Sequence, residues 1–188
     1  MNLQQIYILF HLPQIYDYNK SNIKILNKNG FTNCEYLNYN VTETEKQYLI
    51  QLKKNQICEY DFGIIHYTTT FLQMTHRRYK VCDFLLKQGY KVNIISGFGE
   101  KRDVEVANCK YLLNIHGQIN NDENVSENEC TNIFEHIRCD RYLEAGYQIL
   151  SQDSYLLDPL YIERYKQNLR IIKYDDFFNL HILQLLFT

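Results

Sequence analysis

Apolar residues in this chain come in short runs, and between them lie stretches with apolar positions three and four apart. The short runs fit strands buried on both faces, and the spaced positions fit amphipathic helices. Read in order, LQQIYILF (Leu3–Phe10) is a candidate strand. Pro13 suits the first turn of a helix that continues over Gln14–Asn29 until Gly30 stops it. Phe31–Leu37 follows as a strand. Thr42 and Glu45 have capping-box spacing and open a charge-rich, exposed helix over Glu43–Asn55. YDFGIIH (Tyr60–His66) is a better strand candidate and runs into the polar loop Tyr67-Thr68-Thr69-Thr70. Met74–Gln88 reads as a helix, with Val81, Phe84 and Leu85 at core spacing and Gly89 just past its end. YKVNIIS (Tyr90–Ser96) is the next strand, closed by Gly97-Phe98-Gly99, and a short acidic-basic helix covers Glu100–Cys109.

The stretch Lys110–Gln152 organises the rest. KYLLNIHG reads as a buried strand whose end turns polar at Asn114, His116 and Gly117. A polar loop leads into a helix, Gly146 ends that helix, and YQILS is the next strand. At about 100° per residue, Ile133, Phe134, Ile137 and Ala145 share one sector of the helix, and Arg138 and Arg141 project into it. An arginine facing a core needs a carboxylate, a carbonyl or a bound phosphate as partner. Beyond Pro159, Leu160–Leu169 has helical composition, Arg170–Tyr174 reads as a short strand and Asp175–Leu186 as a closing helix. Strand and helix alternating at this rhythm predict an α/β fold with a Rossmann-like, doubly wound parallel sheet.

Composition narrows the class. At 188 residues and 45% hydrophobic, the chain fits one globular domain with a full core. A net charge of −2 with no basic block argues against a general nucleic-acid or membrane-surface binder. Six scattered cysteines, none in a C-x-x-C pair, suit buried thiols in a reducing compartment. The apolar run Ile6–Phe10 is too short for a span and Pro13 cuts it, so the expected location is cytoplasmic.

If the sheet is parallel, three strand ends converge: His66 to Thr70, Ser96 to Gly99, and Asn114 to Gly117. Helix starts near Arg77-Arg78 and Thr131-Asn132 join them, and helix N-termini with arginines suit phosphate groups. Ser96-Gly97-Phe98-Gly99 is not G-x-G-x-x-G, and a Walker lysine motif is missing. Each residue also has a structural reading: a solvated first turn for the arginine pair, a core histidine for His116, a surface i,i+3 pair for Glu135 and Arg138. Asp103, Glu105 and Arg102 read as decoration of a surface helix.

At these residues the chain resembles a group of small glycosyltransferases of bacteria and giant viruses, related to the carboxyl-terminal, donor-binding half of the GT-B fold. The resemblance runs from Ile15 to Gln152, through RRYKVCDFLLKQGYKVNIIS, GEKRDVEVANCKYLLNIHG and FEHIRCDRYLEAGYQILSQ. Its most specific part is the NIH of Asn114–His116 with the E-x-x-R of Glu135 and Arg138. It implies one Rossmann-like domain over 1–188, with 1–41 as leading segment and linker and 42–188 as donor-binding core. It also implies a nucleotide-diphosphate sugar as co-substrate, with no further cofactor and no bound metal. Arg77 and Arg78 would face the diphosphate and His116 would lie beside it. Glu135 with Arg138 would shape the sugar or ribose end, and Gly97 and Asn132 would complete the donor site, with Tyr67, Phe98 or Tyr147 as stacking aromatics.

The resemblance therefore implies a glycosyltransferase acting on a glycan or protein acceptor, located in the host cytoplasm for a viral protein. Its catalytic residues are not assigned. Few residues precede Ile15, so the amino-terminal acceptor domain of GT-B enzymes is expected from a partner subunit or homodimer. The alternative is a non-catalytic, degenerate domain serving as a scaffold or interaction subunit.

Overall fold

A computed structural model describes residues 14–17, 20–37, 40–66, 76–116, 134–154 and 157–186. Two short strands, β1 (Ile15–Asp17) and β2 (Cys34–Tyr36), pair in parallel on either side of helix α1 (Lys20–Lys28). The main body follows as α2 (Glu43–Asn55), β3 (Tyr60–Ile65), α3 (His76–Lys87), β4 (Val92–Ile95), α4 (Gly99–Ala107) and β5 (Cys109–Asn114). It ends with α5 (His136–Glu144), β6 (Gln148–Gln152), α6 (Pro159–Arg164), β7 (Leu169–Ile172), a 3-10 turn over Tyr174–Phe178 and α7 (Leu180–Leu186).

Strands β3 to β7 form one parallel sheet in the order β4-β3-β5-β6-β7. The chain crosses outward from β3 to β4, then returns to β5 on the other side of β3 and moves away towards β7. The strand order thus reverses between β3 and β5, and such a switch point opens a crevice at the carboxyl ends of the strands. The doubly wound α/β expectation holds, in the 2-1-3-4-5 variant of that architecture.

Successive side chains along each strand point to opposite faces, so both faces need cover. Leu112, Ile149 and Leu169 meet Leu49 of α2, Val106 of α4, and Cys139, Tyr142 and Leu143 of α5. Phe62, Ile64, Leu113, Leu150 and Ile172 meet Val81, Cys82 and Leu85 of α3, with Phe177 and Leu183 beyond. Fully burying each such Leu, Ile or Val stabilises the fold by roughly 1.5–3 kcal/mol. Helix α2 starts where its cap requires, the Thr42 hydroxyl accepting from the Glu45 amide at 3.2 Å.

Several expected elements change. The helix expected over Gln14–Asn29 is a strand at Ile15–Asp17 and a helix only from Lys20, because the apolar Ile15-Tyr16 pair is used in the ladder with Cys34-Glu35. The helix expected over Leu160–Leu169 stops at Arg164, and Leu169, 3% exposed, opens β7 instead. The closing segment Asp175–Leu186 breaks at Asn179, whose side-chain oxygen accepts from the His181 and Ile182 amides and so caps α7. The strand expected at Leu3–Phe10 lies outside the described residues.

Candidate functional site

The carboxyl edge at the switch point is framed by the end of β5, the first turn of α3 and the approach to α5. Arg77 and Arg78 follow His76, the first residue of α3, so both cations sit at the positive end of a helix. That position is electrostatically unfavourable without an anion or carbonyl nearby. Arg78 is buried, 8% exposed, and its Nε donates to the Ile115 carbonyl at 2.7 Å. Its Nη2 lies 3.9 Å from Glu135 Oε1, and Glu135 Oε2 lies 3.2 Å from Arg138 Nη2. Glu135, immediately before α5, therefore bridges two arginines from two helices.

Arg77 is held differently. Its guanidinium carbon lies 4.1 Å from the centroid of the Tyr174 ring, a cation–π contact, while the Tyr174 hydroxyl donates to the Arg77 carbonyl at 3.2 Å. The Arg77 Nε is buried with no hydrogen-bond partner among the described residues.

His116 is almost entirely buried and anchored at both ends. Its backbone N–H donates to Gln152 Oε1 at 3.3 Å, and its ring Nε2 lies 3.0 Å from the Asp153 carbonyl and 3.0 Å from Ser154 Oγ. Burial pushes the imidazole below the ordinary histidine range. The Asp153 carbonyl contact works against that shift, and the Arg77 charge adds to it. One strand residue back, Asn114 Nδ2 donates to Ser151 Oγ at 3.0 Å, while Asn114 Oδ1 is buried without a partner among the described residues. A cavity of about 10 Å³ lies between Ile65, Asn114, Arg138, Cys139 and Ile149, room for about one water.

The structure thus brings Arg77, Arg78, His116, Glu135 and Arg138 to one sheet edge. Gly97 lies at φ +98° beyond the carboxyl end of the edge strand β4, with exposed Phe98 next to it. Asn132, Thr131, Gly117 and Tyr67 lie outside the described residues. Tyr147 is a correction: it is 2% exposed at the amino end of β6, its hydroxyl donating to the Leu49 carbonyl, so it cannot stack on a ligand at the opposite edge.

Helix α5 also presents a different face from the one expected. Cys139, Tyr142 and Leu143 enter the core and Ile137 is 45% exposed, because Phe134 precedes the helix and does not set its phase. Arg141 does turn inward and finds two carboxylates, Asp103 at 3.0 Å and Glu45 at 2.9 Å. Asp103 is therefore a buried partner rather than surface decoration; it also accepts from the Tyr142 hydroxyl at 2.7 Å.

Sequence reasoning missed Tyr174, Gln152 and Ser154, none of which stands in a recognisable spacing with His116 or Arg77. It also missed His136, whose Nδ1 lies 3.2 Å from Asp140, the carboxylate that accepts from the Tyr161 hydroxyl. There the i,i+4 spacing was a usable signal. Among the described residues no group of three or more His, Cys, Asp or Glu side chains could hold a metal ion, and no helix is long and apolar enough to cross a membrane.

Three proteins of Acanthamoeba polyphaga mimivirus are similar to this chain. Uncharacterized protein L140 is 32% identical over 171 residues, 89% of this chain and 49% of that protein. Uncharacterized protein L138 is 32% identical over 161 residues, 85% of this chain and 16% of its own length. Uncharacterized protein L137 is 32% identical over 146 residues, 77% of this chain and 17% of its own length. The chain thus spans about half or less of the relatives it matches, and those relatives come from a giant virus. No protein-family profile and no solved structure matches the chain.

Proposed function

We propose that this chain is the donor-binding domain of a GT-B-like, metal-independent glycosyltransferase and that it takes a nucleotide-diphosphate sugar at the carboxyl edge of the sheet. The observation that carries the reading is the pair Arg77-Arg78 at the positive end of α3, on the carboxyl edge at the switch point, with the Arg77 Nε buried and without a hydrogen-bond partner among the described residues. A pyrophosphate supplies an anion to the cation that Glu135 does not pair, Arg77. Arg138 and the start of α5 add further positive potential on the same edge. In this reading the arginines stabilise the negative charge that builds on the departing diphosphate, so the protein's contribution is electrostatic. The acceptor, a glycan or protein, is held by residues outside this chain's described core.

The test is a thermal-shift screen of uridine, guanosine and thymidine diphosphate sugars. Saturation at a hundred times Kd stabilises by about 2.7 kcal/mol, a shift of several degrees. Arg77→Gln and Glu135→Ala should abolish it. No shift with any of the three at millimolar concentration overturns the reading.

A second reading, a non-catalytic scaffold or interaction unit, is favoured by one feature: Glu135 already pairs with Arg78 and Arg138, so two of the three cations carry an internal counter-ion. It predicts a wild-type melting temperature indifferent to nucleotide sugars, with Phe98 and Leu160, 87% and 78% exposed, serving an interface instead.

A further inference from the structure

The hydrogen bonds around His116 determine which of its ring nitrogens carries the proton. The Asp153 carbonyl can only accept, so the Nε2 that lies 3.0 Å from it must donate. Ser154 Oγ fits the same assignment, since it lies 3.0 Å from Nε2 and donates its own proton to the Gln152 carbonyl at 3.3 Å. Nδ1 is reached by no hydrogen bond from the described residues. His116 is 3% exposed, and burial and the neighbouring Arg77 both favour the uncharged ring, against Glu135 and Asp153. An uncharged imidazole with its proton on Nε2 offers Nδ1 as a lone pair. A lone pair repels a phosphate oxygen and accepts from a hydroxyl.

We propose that His116 Nδ1 reads a hydroxyl group of the bound ligand, on its ribose or its transferred sugar, and does not contact the diphosphate. The inference rests on the nucleotide-sugar reading above and sharpens it: the arginines take the anion, and His116 takes the polyol. Gln152, Asp153 and Ser154 are then positioning residues, because they hold the backbone and the ring nitrogen that orient Nδ1.

Two variants separate the ring's two nitrogens. His116→Gln carries an amide N–H towards the Asp153 carbonyl and has no acceptor at the Nδ1 position. His116→Asn places an amide oxygen near that position and gives up the Nε2 donor. The probes are inorganic pyrophosphate, a nucleoside diphosphate and its glucose conjugate, titrated calorimetrically against the full chain, using whichever of the uridine, guanosine and thymidine sets binds best. The expected result for His116→Gln is pyrophosphate affinity unchanged within about twofold, a loss of about threefold to tenfold for the hydroxyl-bearing ligand, and partial recovery in His116→Asn. A loss shared by the diphosphate and the conjugate assigns the hydroxyl to the ribose; a loss confined to the conjugate assigns it to the transferred sugar.

Equal losses for pyrophosphate and the sugar conjugate overturn the inference, as does a conjugate affinity indifferent to His116→Gln. Wild-type protein that binds none of the probes overturns the inference together with the proposed function. Independently of any ligand, nitrogen-15 NMR at neutral pH should show the His116 ring as the Nε2–H tautomer, assigned by its disappearance in His116→Gln. An imidazolium or an Nδ1–H tautomer would also end the proposal.

Discussion

Arg78 Nε and the Ile115 carbonyl are joined by a 2.7 Å hydrogen bond between the first turn of α3 and the residue that follows β5. The bond spans the switch point, tying the helix after one central strand to the end of the next. Arg78 therefore has a structural duty in addition to any contact with a ligand. Arg78→Ala leaves a buried carbonyl without its donor and should lower stability by about 1.5–3 kcal/mol, read by urea unfolding. Arg78→Lys should recover only part of that, because a point charge does not reproduce the planar guanidinium donor. For ligand binding, Arg77 is the cleaner position to mutate.

On the helix-covered face of α4 and α5, Asp103 and Arg141 form the most enclosed ion pair described, with side chains 3% and 13% exposed. Removing Asp103 takes one of two carboxylates from Arg141 and leaves Glu45, so the cost falls below the about 3–5 kcal/mol of an uncompensated buried charge. Asp103→Ala should still cost more than the loss of a single neutral hydrogen bond. Tyr142→Phe, which removes only the hydroxyl donated to Asp103, should cost about 1 kcal/mol. Chemical denaturation of the two variants side by side checks the contrast; equal costs would mean that Tyr142 and not Arg141 sustains the carboxylate.

That pair also marks where sequence reading stops. An inward arginine on α5 was legible from helical periodicity, as was its need for a carboxylate, carbonyl or phosphate partner, but Asp103 and Glu45 lie in two other helices, and no spacing along the chain links them to Arg141. Strands were legible because runs such as Phe62–Ile65 and Leu112–Leu113 are buried on both faces. Helix α2 was legible because its cap is local. The phase of α5 was not, since one apolar residue outside the helix, Phe134, shifted the expected face away from Cys139, Tyr142 and Leu143. The site divides the same way. Arg78 and His116 were legible as polar residues at a strand end and a helix start, whereas Tyr174 reaches Arg77 only through tertiary packing.

Gly63 sits mid-strand in β3 without any unusual backbone angle, and its role is space. A Cβ there would stand 2.6 Å from Cys109 Sγ and 2.7 Å from Ile95 Cδ1, on the two flanking strands. Gly63→Ala should cost about 1–3 kcal/mol through forced repacking of the sheet's centre. Combining it with Cys109→Ala should return part of that stability, because the nearer clash is removed; a double variant no better than the sum of the singles would refute this account.

The cysteines should divide sharply in reactivity. Burial raises the Cys82 and Cys109 thiols from the ordinary 9.0 to about 12, with Arg78 offsetting this in part at Cys82, and burial raises Cys139 further still. Only a thiolate attacks a disulfide reagent. At pH 8 a thiol reagent should label exposed Cys58 and leave these three untouched until the chain unfolds, as read by peptide mapping. The linkage runs in the same direction. Folded-state values above the unfolded one favour the protonated thiol, so this contribution is intact below pH 9 and is lost as pH climbs towards 12.

His116 gives the opposite slope. Its folded-state value lies below the ordinary 6.5, chiefly because burial disfavours the imidazolium. The unfolded chain then binds the proton more readily than the native one. The stabilising contribution is complete above pH 6.5 and declines as pH falls through the folded value. Wild-type protein should therefore lose more unfolding free energy between pH 7 and pH 5 than His116→Gln, whose amide does not titrate. The difference between the two curves isolates His116, because the other titrating groups are common to both proteins. Parallel curves would mean that the ring is solvated and freely protonated, and the uncharged Nδ1 acceptor would have no physical basis.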